Sequence, residues 1–209
     1  MQRTGILGGT FDPIHLGHLE AADAAKRHLQ LDRLRLMPSR TPPHRSVEPR
    51  ASVYHRFAMT ALSAAERGMI ASDLELRRDG PSYTALTLEA LHREGYAPSE
   101  LFFITGSDAF AEISTWYDYP RLFELSNFAV VSRPGYPIAI PASPMPTSST
   151  AVVVIEANTP DVSSTEIRRR VAAGQTIRYL VPQAVEELIL EKGLYRRAAR
   201  SRDPTGGLE

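Results

Sequence analysis

An α/β fold built on a doubly wound parallel sheet, with helices on both faces, is what the sequence predicts, and three observations predict it. Short apolar runs alternate with helical patterns through most of the chain, the order that produces strand–helix–strand units. The run LFFIT at 101–105 is apolar at nearly every position, as expected of a strand covered on both faces. The segments that follow the apolar runs open on Gly8, Pro38 and Gly106, and ligands of such sheets bind beyond the carboxyl ends of the strands.

The elements follow in order. Residues 4–7 form a strand that stops at Gly8-Gly9, and a helix is predicted over 17–29. Leu34, Leu36 and Met37 mark a second strand ending at Pro38, followed by the polar loop SRTPPHRSVEP. Val53, Phe57, Ala58, Ala61 and Leu62 recur at helical spacing, which predicts a helix over 50–67. A strand is expected over 70–76 and a helix over 83–94. Residues 101–105, 128–131 and 152–155 supply three further strands. Between the last two lies PGYPIAIPASPMPTSST, whose prolines make it an extended connection. A small helical region at the C-terminal end covers 164–173 and 183–191, with Gly193 as a stop signal.

With 209 residues, 43% of them hydrophobic, the chain can bury a sizeable core without metal or disulfide. Residues 1–195 are expected to form one domain, and the Arg-rich, then glycine-containing stretch 196–209 a disordered tail. There are no cysteines, which excludes disulfides, thiolate metal sites and cysteine nucleophiles and fits a reducing cytoplasm. The 24 basic and 24 acidic residues balance, so there is no overall field to draw nucleic acid. No leader pattern or bilayer-length apolar run is present, and no membrane partner is expected. Apart from Lys26 and Lys192 the cations are arginines, whose planar fork suits phosphate and carboxylate.

The first loop, GGTFDPIHLGHL, follows a strand and opens a helix, a position suited to receive phosphate. Gly8 and Gly9 allow close backbone approach. Neither the P-loop nor the dinucleotide fingerprint is present. Instead His15 and His18 stand three apart; on a first helical turn they share a face, beside the positive end of the helix dipole. Imidazole N–H groups there can donate to phosphoryl oxygens, and phosphoryl transfer needs mainly positioning and charge neutralisation. A metal pair is the alternative, with Asp12 as third ligand, although Asp12-Pro13 reads better as a turn initiator.

A second segment, Ser163-Ser164-Thr165-Glu166-Ile167-Arg168, reads in isolation as an ordinary helix cap. Arg168, one turn in after three hydroxyls, also makes it a possible phosphate cradle.

Together GGTFDPIHLGH and SSTEIR resemble the adenylyltransferases of the nucleotidyltransferase superfamily. MPSRTPPHR, PSYTALTL, ITGSDAF, the STWY stretch, VVSRPGY and YLVPQAVEELILEKGLY extend the likeness over nearly the whole chain and narrow it to the bacterial nicotinate-nucleotide adenylyltransferase family. The resemblance implies a Rossmann-like fold and transfer of AMP from ATP, accompanied by Mg²⁺, to nicotinate mononucleotide, giving deamido-NAD and pyrophosphate. His15, His18 and Arg168 would be the catalytic groups. Gly8, Gly9, Thr10, Phe11, Gly106, Asp108, Ser163, Ser164 and Thr165 would join them in binding ATP, Asp108 through ribose hydroxyls. Arg45, Thr84, Trp116, Tyr117 and Arg133 would bind the acceptor. Trp116 would stack on the pyridine ring, and backbone N–H groups near Thr84 and Tyr117 would receive its carboxylate. Read without the resemblance, Trp116 is equally a core aromatic and Thr84 a plain helix residue. The family usually has Lys where this chain has Arg45, an exchange that keeps charge but not geometry. Other phosphate acceptors, phosphopantetheine or nicotinamide mononucleotide, are the competing readings, and the oligomeric state is left open.

Overall fold

The computed structural model describes residues 2–43, 48–132 and 151–196. Arg45, Arg133, the proline-rich connection 134–150 and the tail beyond 196 lie outside the described residues. The strands are β1 (Thr4–Gly9), β2 (Arg33–Pro38), β3 (Ile70–Ala71), β4 (Leu101–Gly106), β5 (Asn127–Ser132) and β6 (Val152–Glu156). The helices are α1 (Leu16–His28), α2 (Val53–Glu66), α3 (Thr84–Arg93), α4 (Ser107–Ala111), α5 (Tyr119–Leu125), α6 (Ser164–Ala172) and α7 (Gln183–Glu191).

The six strands form one parallel sheet in the order β3-β2-β1-β4-β5-β6. This is the Rossmann-like, doubly wound arrangement. The chain leaves the centre in both directions, so β1 and β4 lie side by side while their crossovers diverge. A crevice therefore opens beyond their carboxyl ends.

Alternation along each strand divides the core. Leu7, Leu34, Leu36, Phe102, Ile104, Ala129 and Val131 pack with α1, α2, α6 and α7 on one face. Ile6, Met37, Leu101, Phe103, Phe128 and Val130 pack with α3, α4 and α5 on the other. Each strand's neighbours in sequence thus go to opposite faces, the period of two that a pleated strand imposes. At Gly5 a Cβ would come within 2.5 Å of the Leu31 side chain, so the β1–α1 layer needs a residue without one there. No helix among the described residues is long and apolar enough to cross a membrane.

Two departures from the sequence reading have local causes. The strand expected over 70–76 is only Ile70–Ala71. Ser72 N–H still bonds the Leu36 carbonyl, but the Asp73 carbonyl then takes the N–H groups of Leu76 and Arg77, and the chain coils into a turn at the sheet edge. Helix α5 was not expected; it is seven residues long, too short to display helical periodicity. It starts after Asp118 in the left-handed conformation at φ 57°.

Arg56 of α2 ties the loops at the top of the sheet together. It is 1% exposed. Its Nη1 donates to the carbonyls of Thr10 and Ser39, both at 2.7 Å, and its Nη2 to the Arg40 carbonyl at 3.2 Å. Burial lowers its pKa, and Asp12, Tyr195 and Glu48 oppose that shift. Replacing Arg56 with Met keeps an apolar stem but strands three carbonyls. An unsatisfied buried acceptor costs about 1–3 kcal/mol; the bond to the Ser39 carbonyl is buried and the other two are part-buried, so Arg56→Met is expected to lower the unfolding free energy by at least about 1 kcal/mol. Urea denaturation of the two proteins measures this; equal midpoints would show that the guanidinium is dispensable to the fold.

Candidate active site

The loop between β1 and α1 is held from several sides. Phe11 has φ 49° and is buried, and a Cβ at Gly9 would meet its ring at 2.6 Å. Glycine at position 9 is thus what lets this ring fold back under the strand end. The Asp12–Pro13 bond is cis. The Asp12 carboxylate, 3% exposed, accepts from the backbone N–H of Arg50 at 2.8 Å and of Ala51 at 3.0 Å. It also accepts from the Tyr195 hydroxyl at 2.9 Å. Burial and the nearby Asp12 raise the Tyr195 pKa, which keeps that hydroxyl a donor.

The two histidines do share a face, but not as members of one turn. His15 is the N-cap of α1, in extended conformation. Its ring lies parallel to that of His18, with centroids 3.7 Å apart. The His15 backbone N–H approaches His18 Nδ1 at 3.3 Å. Neutral His18 therefore carries its proton on Nε2. Phe11 meets the His18 ring edge-on at 5.0 Å. His15 is 6% exposed, and burial pushes its pKa down to about 4. At neutral pH it is an uncharged imidazole. Gly17 sits in the gap: a Cβ there would meet the His15 ring at 3.1 Å and Val162 at 3.3 Å.

Helix α6 docks behind this loop. Ser163 caps it, accepting from the Glu166 N–H at 3.2 Å. The Ser164 hydroxyl donates to the Pro13 carbonyl at 2.9 Å. Arg168 donates to the Asp12 carbonyl at 2.7 Å and to the Thr165 hydroxyl at 3.0 Å. Every hydroxyl of the SST run thus already has a protein partner. The segment is the helix cap that one sequence reading expected, and it brings Arg168 against the histidine loop. Arg169 and Arg170 turn away and pair with Glu166, whose carboxyl they hold near pKa 2.

Two cavities open over the crevice. The first, about 490 Å³, is lined by His15, Gly17, His18, Gly106, Ser107 and Asp108, with residues 159–162 on its far side. The second, about 330 Å³, is lined by Gly8, Gly9, Thr10, Ser82, Tyr83, Thr84, Trp116 and Tyr117, among others. His18, Ile104 and Thr105 line both, so the cavities meet there. In the second cavity Trp116 is half-buried and edge-on to Phe103 at 5.9 Å. Tyr117, more than half exposed, stacks on Tyr83 at 4.5 Å. Thr84 is the first residue of α3, whose positive dipole end thereby faces the cavity.

Most of the residues singled out in the sequence fall around these cavities. Gly8, Gly9 and Thr10, expected with ATP, line the second cavity rather than the first, next to His18. The Phe11 side chain lines neither and is core. Ser163, Ser164, Thr165 and Arg168 lie behind the loop rather than on the cavity walls, and only Val162 of that segment lines the first cavity. Arg45 and Arg133 lie outside the described residues. Sequence reasoning overlooked Glu75, placed inside a strand, and Asp161, placed in no element. It weighed Asp12 as a turn initiator and as a third metal ligand, not as an anchor of the loop. The acidic, glycine-ended stretch DLELRRDG carried a turn signal that could have drawn attention to Glu75.

Burial of neutral His15 has a measurable consequence. Its folded-state pKa lies below the unfolded value, so the stability it contributes is fully present above pH 6.5 and is lost as pH falls towards 4. The full shift corresponds to about 3 kcal/mol. The His15 ring resonances are expected to titrate near pH 4, and the stability gap between wild type and His15→Asn to narrow as pH falls through that window. Titration of His15 near its ordinary value would show that the ring is solvated.

Other proteins resemble this chain in sequence and in fold. The sequence profile of the Cytidylyltransferase-like family matches residues 6–170. A Thermus thermophilus protein named "Probable nicotinate-nucleotide adenylyltransferase" is 46% identical over 93% of this chain and 100% of its own length. A Syntrophotalea carbinolica protein of the same name is 41% identical over 95% of this chain and 100% of its own length. Among solved structures, Plasmodium falciparum nicotinic acid mononucleotide adenylyltransferase complexed with NaAD superposes with a TM-score of 0.71, covering 93% of this chain and 98% of that one. At 20% identity that likeness speaks to the fold, while the bacterial relatives speak to lineage over nearly the whole chain. The chain belongs to the nicotinate-nucleotide adenylyltransferases, within the cytidylyltransferase-like family.

Proposed function

We propose that the protein transfers AMP from ATP to nicotinate mononucleotide, releasing pyrophosphate and forming deamido-NAD. The observation that carries this is the junction of the two cavities at His18 and Thr105, where two phosphate groups can be brought together. ATP occupies the first cavity, with Asp108 accepting from ribose hydroxyls. The acceptor occupies the second. Its 5′-phosphate oxygen attacks the α-phosphorus in line; the bond to the β-phosphate oxygen breaks, and pyrophosphate leaves with the electron pair. A phosphate monoester is already largely dianionic at neutral pH, so no side chain has to take a proton from the nucleophile. What remains is positioning and charge stabilisation. The His18 Nε2–H and the amino end of α1 face the transferring group, and neutral His15 is a second hydrogen-bonding group beside it. Arg168 holds the loop at the Asp12 carbonyl and supplies positive charge behind it.

Asp108 and Asp161 line the ATP cavity and, as oxygen ligands of the kind Mg²⁺ takes, would hold such an ion arriving with ATP, which would supply neutralisation of phosphate charge. In the acceptor cavity Trp116 offers a stacking face for the pyridine, and the amino end of α3 at Thr84, with the backbone at Tyr117, receives its carboxylate. This aromatic wall favours a pyridine nucleotide over phosphopantetheine, which has no ring to stack. The cytoplasm, where ATP is plentiful and a chain without cysteines is at no disadvantage, is the proposed compartment.

An acceptor panel tests this reading by pyrophosphate release. Nicotinate mononucleotide with ATP is expected to be the best pair, ahead of the amide analogue, of phosphopantetheine and of any pair with CTP. An amide NH₂ facing donors leaves two buried polar groups unpaired, at about 1–3 kcal/mol each. The acid is therefore expected to lead by at least about 30-fold in kcat/KM. Turnover with phosphopantetheine and none with the mononucleotides would overturn the assignment.

His18→Ala is expected to lower kcat by roughly 10²–10³ with little change in acceptor KM, as for other groups that stabilise transition-state charge. Trp116→Ala is expected to raise KM for acid and amide acceptors alike, by an amount corresponding to about 1–3 kcal/mol of stacking. Steady-state kinetics of the two variants check both; unchanged kcat in the first removes His18 from the chemistry.

A further inference from the structure

Among the described residues lining the acceptor cavity, Glu75 alone carries a carboxylate. It is 6% exposed. Its bonding partners are hydroxyls, not cations: Thr87 Oγ1 donates to Oε1 at 2.6 Å, and Ser82 also bonds it. Thr87 lies three residues after Thr84 on α3, so the carboxyl sits under the first turn, about one helical pitch (~5.4 Å) from the head of the helix. Ser82 Oγ in turn accepts the Arg40 N–H at 2.9 Å, which links the same spot to the loop after β2.

Resting on the proposed function, we infer that Glu75 is a specificity-determining residue whose protonation state sets the preference for the acid acceptor over its amide. A carboxyl under the head of α3 in its neutral form leaves the helix end free to receive the pyridine carboxylate. In its ionised form it places a like charge beneath the helix end that would receive that carboxylate, at a largely buried position. The amide acceptor carries no charge there and is indifferent to the change. Burial, opposed by the two hydroxyls and by Arg78, pushes the Glu75 pKa up to about 7, so the switch falls within the working range of pH.

Other titratable groups surround this wall. Arg78 is on the same turn, and Arg40 pairs with Asp79 beside it. Tyr83 stands at the head of α3, Tyr117 stacks on it, and His18 closes the inner end of the cavity. A slope contributed by any of these groups would persist in Glu75→Gln, which separates it from the slope due to Glu75. The experiment is therefore the ratio of kcat/KM for nicotinate mononucleotide to that for nicotinamide mononucleotide, followed from about pH 6 to about pH 9 in wild type, Glu75→Gln and Thr87→Val. In wild type the ratio is expected to fall at least about tenfold, with a limiting slope of about tenfold per pH unit above the midpoint. Glu75→Gln is expected to give a flat profile. Thr87→Val removes a hydrogen bond that favours the ionised form, so its midpoint is expected to move to higher pH; this variant carries the test if Glu75→Gln does not fold. A flat wild-type ratio, a wild-type slope that persists in Glu75→Gln, or an unmoved midpoint in Thr87→Val would overturn the inference. Adenylyl transfer to the acid acceptor would still be observed in each of those cases, so the proposed function stands or falls separately.

Discussion

The site depends on the buried carboxylate of Asp12. A loop between a strand and a helix cannot hold two imidazoles in parallel by its own backbone preferences. Here one carboxylate gathers two backbone N–H groups from the start of the α2 segment and a phenol from the far end of the chain. The carbonyl of the same residue takes Arg168, and the next carbonyl takes Ser164. Three separate stretches of chain thus converge on two residues of the loop. Hydrogen bonds to an ionised acceptor are the stronger kind, and in a site this buried their loss would strand several donors at once.

Arg56 does the complementary work from the opposite sign. Its guanidinium binds only carbonyls, those of the β1 loop and of the loop after β2. The two loops that close the second cavity are therefore referenced to one side chain on α2. Asp12 opposes the cost of burying this cation through its field, so anionic and cationic anchors stabilise each other without touching. The His pair is treated differently. One ring is buried and held neutral, so stacking it at 3.7 Å on the other entails no repulsion between two imidazolium charges.

Sheet class, most element positions and the two histidines were legible because each rests on short-range pattern. Helix α7 coincides with the predicted 183–191, since Pro182 opens it and Gly193, at φ 61°, ends the turn after it. The central strands were legible as apolar runs because both faces are covered. What the sequence concealed depends on residues far apart in the chain. Asp12 looks like any Asp-Pro turn until residues 50, 51, 168 and 195 are seen around it. Glu75 sits in a stretch whose apolar residues mimic a strand, and nothing local says that the hydroxyl that binds it lies twelve residues on. The three hydroxyls of SSTEIR suggested phosphate contact; in the folded chain Ser163 caps α6, Ser164 holds the loop and Thr165 accepts from Arg168, partners that lie too far along the chain, or too locally, for the pattern to announce. Trp116 was open between core and platform, and its edge-on seat against Phe103 gives it something of each.

The hydrogen bond from Tyr195 to Asp12 spans 183 residues, and this has a bearing on how the protein matures. All six strands and the histidine loop are made before Tyr195. During synthesis the sheet can therefore assemble while one ligand of the Asp12 carboxylate is still missing. The bond that ties the first loop to Tyr195 is therefore a late one in chain order, and a chain cut before residue 195 would lack one of the three donors that hold the Asp12 carboxylate.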